Sequence, residues 1–375
     1  MTTTPAPSTF IQQALELATQ ALFISSPNPR VGCVLVAPDG RVIGKGFTQQ
    51  AGGPHAEIMA LRDAAAAGAD VRGATAYVTL EPCAHQGRTG PCCDALIAAG
   101  IGKVVASLQD PNPSVAGQGF ARLRAAGVDV LVGPGAEESR QLNLGFFSRM
   151  LRGTPWVRMK LAASLDGVTA LQNGTSQWIT SPQAREDGHA WRARACTVLT
   201  GIGTVLADNP RLDVRAVPTP RQPTVAVLDS GLRTPSSAHL LSAARTCLIY
   251  AAGPPSDEAH QRQAALEAAG ATVLRVANAS GQVDLPSALQ DLARRGTNEL
   301  HVEAGQRLNG ALLHEGLVDE LLVYLAPKLL GPGRPLAALP ALEQLAGALE
   351  FEFCATHAVG PDLRLVLRAP GHDQF

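Results

Sequence analysis

Two short segments restrict how this chain folds: Pro54–Glu57 (PHAE) and Glu81–Cys92 (EPCAHQGRTGPC). Their side chains make chemical sense together only if the backbone brings them to one point. His55, Cys83 and Cys92 offer one imidazole and two thiolates, a donor set that borderline-soft Zn²⁺ prefers. Three protein ligands leave a fourth tetrahedral position open, which distinguishes a catalytic from a structural zinc. Glu57 stands two residues after His55 and carries a carboxylate the metal does not need.

A His-x-Glu segment followed by Pro-Cys and a second Cys is the arrangement of zinc-dependent base deaminases. Zinc lowers the pKa of a bound water toward ~7, and Glu57 is the proton shuttle from that water to the departing amine. Here eight residues, 84–91, separate the cysteines where two are usual, so a loop with His85 and Arg88 is inserted beside the metal. A closed structural site, with Cys93 or His85 as fourth ligand, is the bland alternative. It leaves Glu57 unexplained.

At 375 residues the chain holds two cores of ordinary size. Its 46% hydrophobic and 17% charged content is that of a soluble globular protein. The net charge is −1, with Lys and Arg scattered, so no electrostatic footprint for nucleic acid is visible. No uncharged apolar run approaches the ~20 residues of a membrane span, and the N-terminus shows no signal-peptide pattern. Seven cysteines do not suggest a disulfide framework, so a reduced, cytoplasmic protein is expected.

Ser8–Phe23 reads as an amphipathic helix with Ile11, Leu15, Ala18 and Leu22 on one face. A strand over Val31–Val36, a turn at Pro38–Gly40 and a return strand over Arg41–Phe47 follow. Ala56–Ala67 is a helix with Glu57 in its first turn. Ala74–Leu80 is a strand delivering Glu81 to Cys83, and Pro91 opens the next helix, to Ala99. Strands Lys103–Leu108 and Val128–Val132 flank a helix at Gly119–Ala126. Alternation of this kind predicts an α/β layer with a mostly parallel sheet, both metal segments lying at helix N-termini. A polar helix, Glu137–Met150, and RGTP (Arg152–Pro155) close a first domain, residues 1–150.

A second α/β domain, residues 154–370, has strands predicted at 156–163, 197–200, 224–229, 246–251, 272–277, 299–303 and 320–325. Helices are predicted at 182–195, 256–269, 286–295 and 308–315, the first capped by Ser181. Gly201–Thr204 and Glu303–Gly305 follow strands as phosphate loops do, although each reads alone as a plain turn, and Leu206 breaks any dinucleotide fingerprint. Arg185, Arg192, Arg194, Arg211 and Arg215 crowd one stretch, as a phosphate site or as a solvated helix face. Asp166, Asp208 and Asp213 read as caps or turns. Gly331–Ala348 reads as a Pro- and Ala-rich surface excursion.

The motifs PNPRVG, PHAE, TLEPCAHQGRTGPC, QDPNPSVAG, KLAASLDG, SQWITS, GTVLADNPRLDVR, VEAGQRLNGALL and VDELLVYLAPKLLG occur in that order over nearly the whole length. With them the chain resembles the bifunctional deaminase–reductases of bacterial riboflavin biosynthesis. The resemblance implies a cytidine-deaminase-like α/β/α domain followed by a dihydrofolate-reductase-like α/β domain. It implies deamination of 2,5-diamino-6-ribosylamino-4(3H)-pyrimidinone 5′-phosphate, then NADPH-dependent reduction of the ribosyl chain to ribityl. A deaminase of a free nucleoside or base with a non-catalytic second half is the alternative.

The resemblance places zinc on His55, Cys83 and Cys92, the proton shuttle on Glu57, and pyrimidine contacts on Asn28, His85 and Arg88. It places NADPH on Ala162, Trp178, Thr204, Asp208, Ser230 and the run Gly305, Gln306, Arg307, Leu308, Asn309. Substrate contacts in the second half fall on Ser176, Arg192, Leu212, Arg215 and Glu303, with Lys160 and Asp208 near the reacting sugar carbon. A homo-oligomer is also implied. Two positions depart from the pattern: Ala304 stands where glycine is common, and Asn209 where aspartate is.

Overall fold

In the computed structural model, residues 7–85, 90–113, 115–242, 244–254 and 256–375 are described. The chain divides into two units, Met1–Arg152 and Gly153–Phe375.

The first unit runs α1 (Pro7–Thr19), β1 (Gly32–Val36), β2 (Val42–Phe47), α2 (Ala56–Ala66), β3 (Thr75–Val78), α3 (Cys92–Ala98), β4 (Lys103–Ala106), α4 (Gln118–Ala125), β5 (Asp129–Val132), α5 (Ala136–Leu142) and α6 (Leu144–Arg152). Its sheet has the order β2-β1-β3-β4-β5. β1 pairs antiparallel with both β2 and β3, while β3, β4 and β5 are parallel. The predicted parallel sheet is therefore mixed, because the tight turn at Gly40 (φ 85°) can only return the chain antiparallel.

Helices cover both faces of this sheet. A Cβ on Gly32 would lie 1.8 Å from the Ala14 carbonyl of α1, and one on Gly46 only 2.3 Å from the Ala56 carbonyl of α2. Gly46 pairs with Cys33 and so looks away from the face Gly32 uses. Phe10, Ile11, Ala14 and Leu15 bury the predicted face of α1 against Val34, Val36, Tyr77 and Val105. The α1 helix ends before Leu22, which lies in the following turns.

The predicted polar helix over 137–150 is two helices. Asn143 breaks it, because its buried amide is committed to the turn before β1: Oδ1 accepts from Arg30 N (2.8 Å), and Nδ2 donates to the Arg30 and Ser139 carbonyls. The second of these helices, α6, buries Phe146 and Phe147.

The second unit runs β6 (Trp156–Ser164), β7 (Val168–Leu171), α7 (Pro182–Arg194), β8 (Thr197–Gly201), α8 (Ile202–Asp208), β9 (Thr224–Leu228), β10 (Cys247–Ala251), α9 (Asp257–Ala268), β11 (Ala271–Arg275), α10 (Leu285–Arg294), β12 (Glu299–Val302), α11 (Gln306–His314), β13 (Glu320–Ala326), β14 (Gly333–Pro335), β15 (Glu352–Val359) and β16 (Asp362–Arg368). Nine strands form one sheet in the order β11-β10-β9-β8-β12-β6-β13-β16-β15. It is parallel up to β13, and the β15–β16 hairpin adds two antiparallel strands that the sequence reading did not predict. The helix α8 replaces the turn expected at Gly201–Thr204, with Gly201 as its N-cap.

Alternation along the strands sorts their side chains by face. Val157, Met159 and Leu161 of β6 and Leu300 and Val302 of β12 join the apolar layer under α10 and α11. Val198, Val225, Val227 and Ile249 face the other way and pack with Val205 and Leu266. On that second face, beneath α7, β6 and β12 present Arg158, Lys160 and His301 instead. The tract after Gly331, read as a surface excursion, is largely exposed but contributes β14, paired with β7, and Ala338 N donates to the Gln306 carbonyl at the start of α11.

Candidate functional site

His55 is the N-cap of α2, Cys83 lies past the C-terminal end of β3, and Cys92 is the first residue of α3. Pro91, predicted as the first helical residue, is instead the N-cap of α3. The His55 Nδ1 atom is 3.5 Å from Cys83 Sγ and 3.4 Å from Cys92 Sγ. Bond lengths of 2.0–2.3 Å at tetrahedral angles separate a nitrogen and a sulfur ligand by about 3.5 Å, so the donors already stand at zinc spacing.

Cys92 N donates to Cys83 Sγ (3.4 Å) and Cys93 N to the Cys83 carbonyl (3.2 Å), fixing the loop end on the start of α3. Hydrogen bonding from Cys92 and His55 holds the Cys83 thiol down to about 4 against its burial. Cys92 keeps its proton in this pair, and a bound dication would release it. The neighbouring Cys93 thiol points at Asp94 (3.7 Å), and His85 is exposed. Among the described residues the metal-binding group comprises His55, Cys83 and Cys92. That composition disfavours the closed structural site.

Glu57 is 3% exposed in the first turn of α2 and hydrogen-bonds Cys92. Burial, with the Cys83 thiolate beside it, pushes its carboxyl up to about 7. It thus sits beside the metal donors without being one of them. Asn28 lies half-buried in the turn before β1, which Gly32 N and Thr79 Oγ1 (3.1 Å) tie to the end of β3. Arg88 falls outside the described residues.

Two carboxylates at this end of the sheet escaped the sequence reading. Glu81 accepts four backbone N–H groups: Asp110 (3.1 Å) and Gly117 (2.9 Å) on one oxygen, Gly119 (2.8 Å) and Phe120 (3.2 Å) on the other. It anchors the loop after β4, which brings Asp110 within the fields of Cys83 and His85. Burial pushes the Asp110 carboxyl up to about 6. The available signals were acidic residues a few positions past a strand end, Glu81 in TLEPC and Asp110 in QDPNPSVAG.

In the second unit a cleft of about 1830 Å³ is lined by all sixteen residues expected to contact NADPH or substrate in that half. The C-terminal ends of the parallel strands supply them, which is where open α/β sheets bind ligands. Lys160 and Ala162 come from β6, Ser230 follows β9, and Glu303 follows β12. Gly305 is the N-cap of α11, with Gln306, Arg307, Leu308 and Asn309 in its first turns. Thr204 and Asp208 belong to α8, and burial raises the Asp208 carboxyl. Ser176 and Trp178 come from the loop before α7, where Arg185 lies 4.3 Å over the exposed Trp178 ring.

Leu212 takes a left-handed backbone (φ 51°) that costs a leucine about 1–2 kcal/mol, and its carbonyl is clamped by Arg245 Nη1 (2.6 Å). Asn209 caps α8 at φ 41°, a conformation asparagine accepts readily.

The arginines are not idle charges. Arg192 grips both oxygens of Glu303 through Nε (2.7 Å) and Nη2 (2.9 Å). Arg215 Nη1 (2.5 Å) and Arg211 Nε (3.1 Å) both hold Asp213, and Arg194 holds Glu299. Burial would raise the Glu303 carboxyl, but Arg192, with Lys160 behind it, holds it well below its usual range. Burial also lowers Lys160, against the pull of Glu303. Asp166, read as a turn residue, accepts from Leu330 and Gly331 N–H.

Known proteins match in the same two parts. The family described as "Cytidine and deoxycytidylate deaminase zinc-binding region" matches residues 5–108, and "RibD C-terminal domain" matches 155–365. The riboflavin biosynthesis protein RibD of Escherichia coli is 48% identical over 96% of this chain and 98% of its own length. The structure of Acinetobacter baumannii RibD superposes with a TM-score of 0.88 at 41% identity, covering 96% of this chain and 98% of that one. A Thermotoga maritima diaminohydroxyphosphoribosylaminopyrimidine deaminase/5-amino-6-(5-phosphoribosylamino)uracil reductase gives a TM-score of 0.83 at 32% identity, covering 97% and 98%.

Proposed function

Because the chain belongs to the RibD family of riboflavin biosynthesis proteins and is a deaminase and a reductase, we propose that its first unit carries the deamination and its second the reduction. The observation that carries this reading is the His55–Cys83–Cys92 triangle with Glu57 beside it, in a chain whose other unit gathers every expected reductase contact in one cleft. The match of residues 155–365 to the reductase-side family disfavours a non-catalytic second half.

The cofactors are Zn²⁺ and NADPH. His55, Cys83 and Cys92 would hold the zinc, which when bound would make water acidic enough to be a nucleophile at neutral pH. Glu57, buried beside the three donors without being one of them, would hold the proton at its carboxylate between the attacking water and the leaving amine. Asp110, held in place by Glu81, faces the pyrimidine from the loop after β4, with Asn28, His85 and Arg88 as its other contacts.

NADPH bound in the cleft would supply the hydride, so the protein's task is placement and charge. The N–H groups opening α11 at Gly305–Arg307 suit a cofactor phosphate. Arg192 and Arg215 take the substrate phosphate, while Ser176, Leu212 and Glu303 complete that pocket. Lys160 and Asp208 flank the reacting sugar carbon.

The protein is further proposed to be cytoplasmic and a homo-oligomer. No helix is long and apolar enough to cross a membrane among the described residues. Strand β15 ends the nine-stranded sheet with Phe353 69% exposed, the kind of edge that a second copy pairs with, and light scattering of the purified chain tests it.

The functional reading is tested by one time course on the diamino ribosylamino-pyrimidinone phosphate. Ammonia without NADPH, and NADPH oxidation lagging behind ammonia when both are present, is expected. Ammonia with no NADPH oxidation would remove the reductase assignment.

A further inference from the structure

On the sheet face beneath α7, a column of charge runs toward the cleft. At its far end Arg158 pairs with Glu320 and with Glu299 (2.9 Å), both fully buried. At its cleft end Arg192 pairs with Glu303. Between them stands His301, 1% exposed, with neither ring nitrogen hydrogen-bonded among the described residues. A buried imidazole without a partner is destabilising, and an apolar side chain would fill that place at less cost. Burial, with Arg158, Arg192 and Lys160 nearby, keeps it neutral, so one ring nitrogen carries a proton to donate.

A carboxylate oxygen stands close by. His301 Nε2 lies 3.6 Å from Glu303 Oε1, just beyond hydrogen-bond length, and Oε1 is the oxygen that Arg192 Nε now holds. Every side-chain nitrogen of Arg192 is engaged, Nε and Nη2 on Glu303 and Nη1 on the Asp213 carbonyl (2.6 Å). Its Nε–Nη2 edge, the side that offers two parallel donors, can meet an anionic ligand only by leaving Glu303. A buried carboxylate stripped of its partner is strongly unfavourable unless another donor replaces it.

We propose that His301 is a positioning residue of the cleft: it takes over Glu303 Oε1 when the Arg192 fork turns to the phosphate group of the substrate. The proposal rests on the reading of this cleft as the reductase site. Lys160 backs the released carboxylate by charge, and His301 supplies the directed hydrogen bond. The histidine thus costs stability and lets one arginine serve two anions in turn.

The test is His301→Leu in the full chain, assayed for NADPH oxidation with the deaminated substrate and for inhibition by inorganic phosphate. The substrate KM and the phosphate Ki are expected to rise together about tenfold, the usual worth of one directed hydrogen bond to a charged group. The KM for NADPH and the rate of ammonia release stay unchanged, and the melting temperature holds or rises. Wild-type KM and Ki in the leucine variant would overturn the proposal. Should the leucine variant melt lower, His301→Gln decides: it keeps a donor and is expected within about twofold of wild type on both constants. A glutamine variant as weak as leucine would contradict it. Failure of the wild-type chain to oxidise NADPH would sink the reductase reading itself, a separate outcome.

Discussion

The two sites are built in opposite ways. The zinc triangle takes its ligands from a short stretch, His55 to Cys92, and holds them at coordination distance, 3.4 and 3.5 Å apart. The reductase cleft takes its residues from Lys160 to Asn309, across several strands, and its charges are already spent on one another. A metal site can be preassembled because backbone N–H groups, such as Cys92 N on Cys83 Sγ, offset thiolate charge before the ion arrives. A site for a phosphorylated substrate carries unsatisfied cations, and when buried these must borrow carboxylates until the ligand comes.

The contrast breaks most violently at Arg158, which has a counterpart in neither loop nor metal site. Arg158→Met leaves Glu299 to Arg194 alone and Glu320 to Arg368 alone, and is expected to cost about 3 kcal/mol of stability. Calorimetry should show the reductase half melting far earlier while ammonia release survives. Equal loss of both activities would mean the two units do not stand alone.

Glu57→Gln sharpens the other side. Zinc content by mass spectrometry should match wild type, whereas deamination falls by about 10² or more. NADPH oxidation with the already deaminated substrate should be untouched.

Smaller is the effect expected of Arg215→Ala, a half-exposed arginine on Asp213. The reductase KM for substrate should rise about tenfold with kcat nearly constant, consistent with one charged contact to phosphate. An unchanged KM would leave the phosphate to Arg192 alone.

The mildest signal is in pH. His301 is pushed down to about 3 and His189 to about 4, in each case chiefly by burial, so both are neutral in the folded chain and protonate on unfolding below about 6.5. The unfolded state binds more protons in that window, and stability must fall as pH drops from 6.5 toward 4. Glu303, whose folded carboxyl is held low, adds to the same acid-side loss below the ordinary carboxylate range. Melting temperatures measured from pH 7 to pH 4 should decline in the reductase half, and less steeply in His301→Leu.

How far the sequence reached follows from the same contrast. His55, Glu57, Cys83 and Cys92 were legible because a zinc ion demands particular atoms at short spacings, and helix starts are marked locally. Ile11, Leu15 and Ala18 were legible by period. Asn143 was not: nothing near it in sequence says that its amide is wanted by Arg30, far up the chain. Strand β16 carries an alternation, Leu363, Leu365 and Leu367 against arginines, but the Pro- and Ala-rich tract before it masks the hairpin. His301 reads as an oddity in a buried strand, since its neighbours Arg158, Lys160 and Arg192 lie far off in sequence and only the parallel pairing of β6 with β12 gathers them. The cleft residues other than these came through resemblance, because strand-end chemistry has no local spacing to betray it.

The central claim is that metal chemistry and hydride chemistry reside in separate units of one chain. The most direct test is to strip zinc from the full-length protein with a chelator and follow both reactions before and after adding Zn²⁺ back. The account predicts that ammonia release disappears and returns with the metal, while NADPH oxidation on the deaminated substrate never changes. Loss and recovery of both activities together would contradict it.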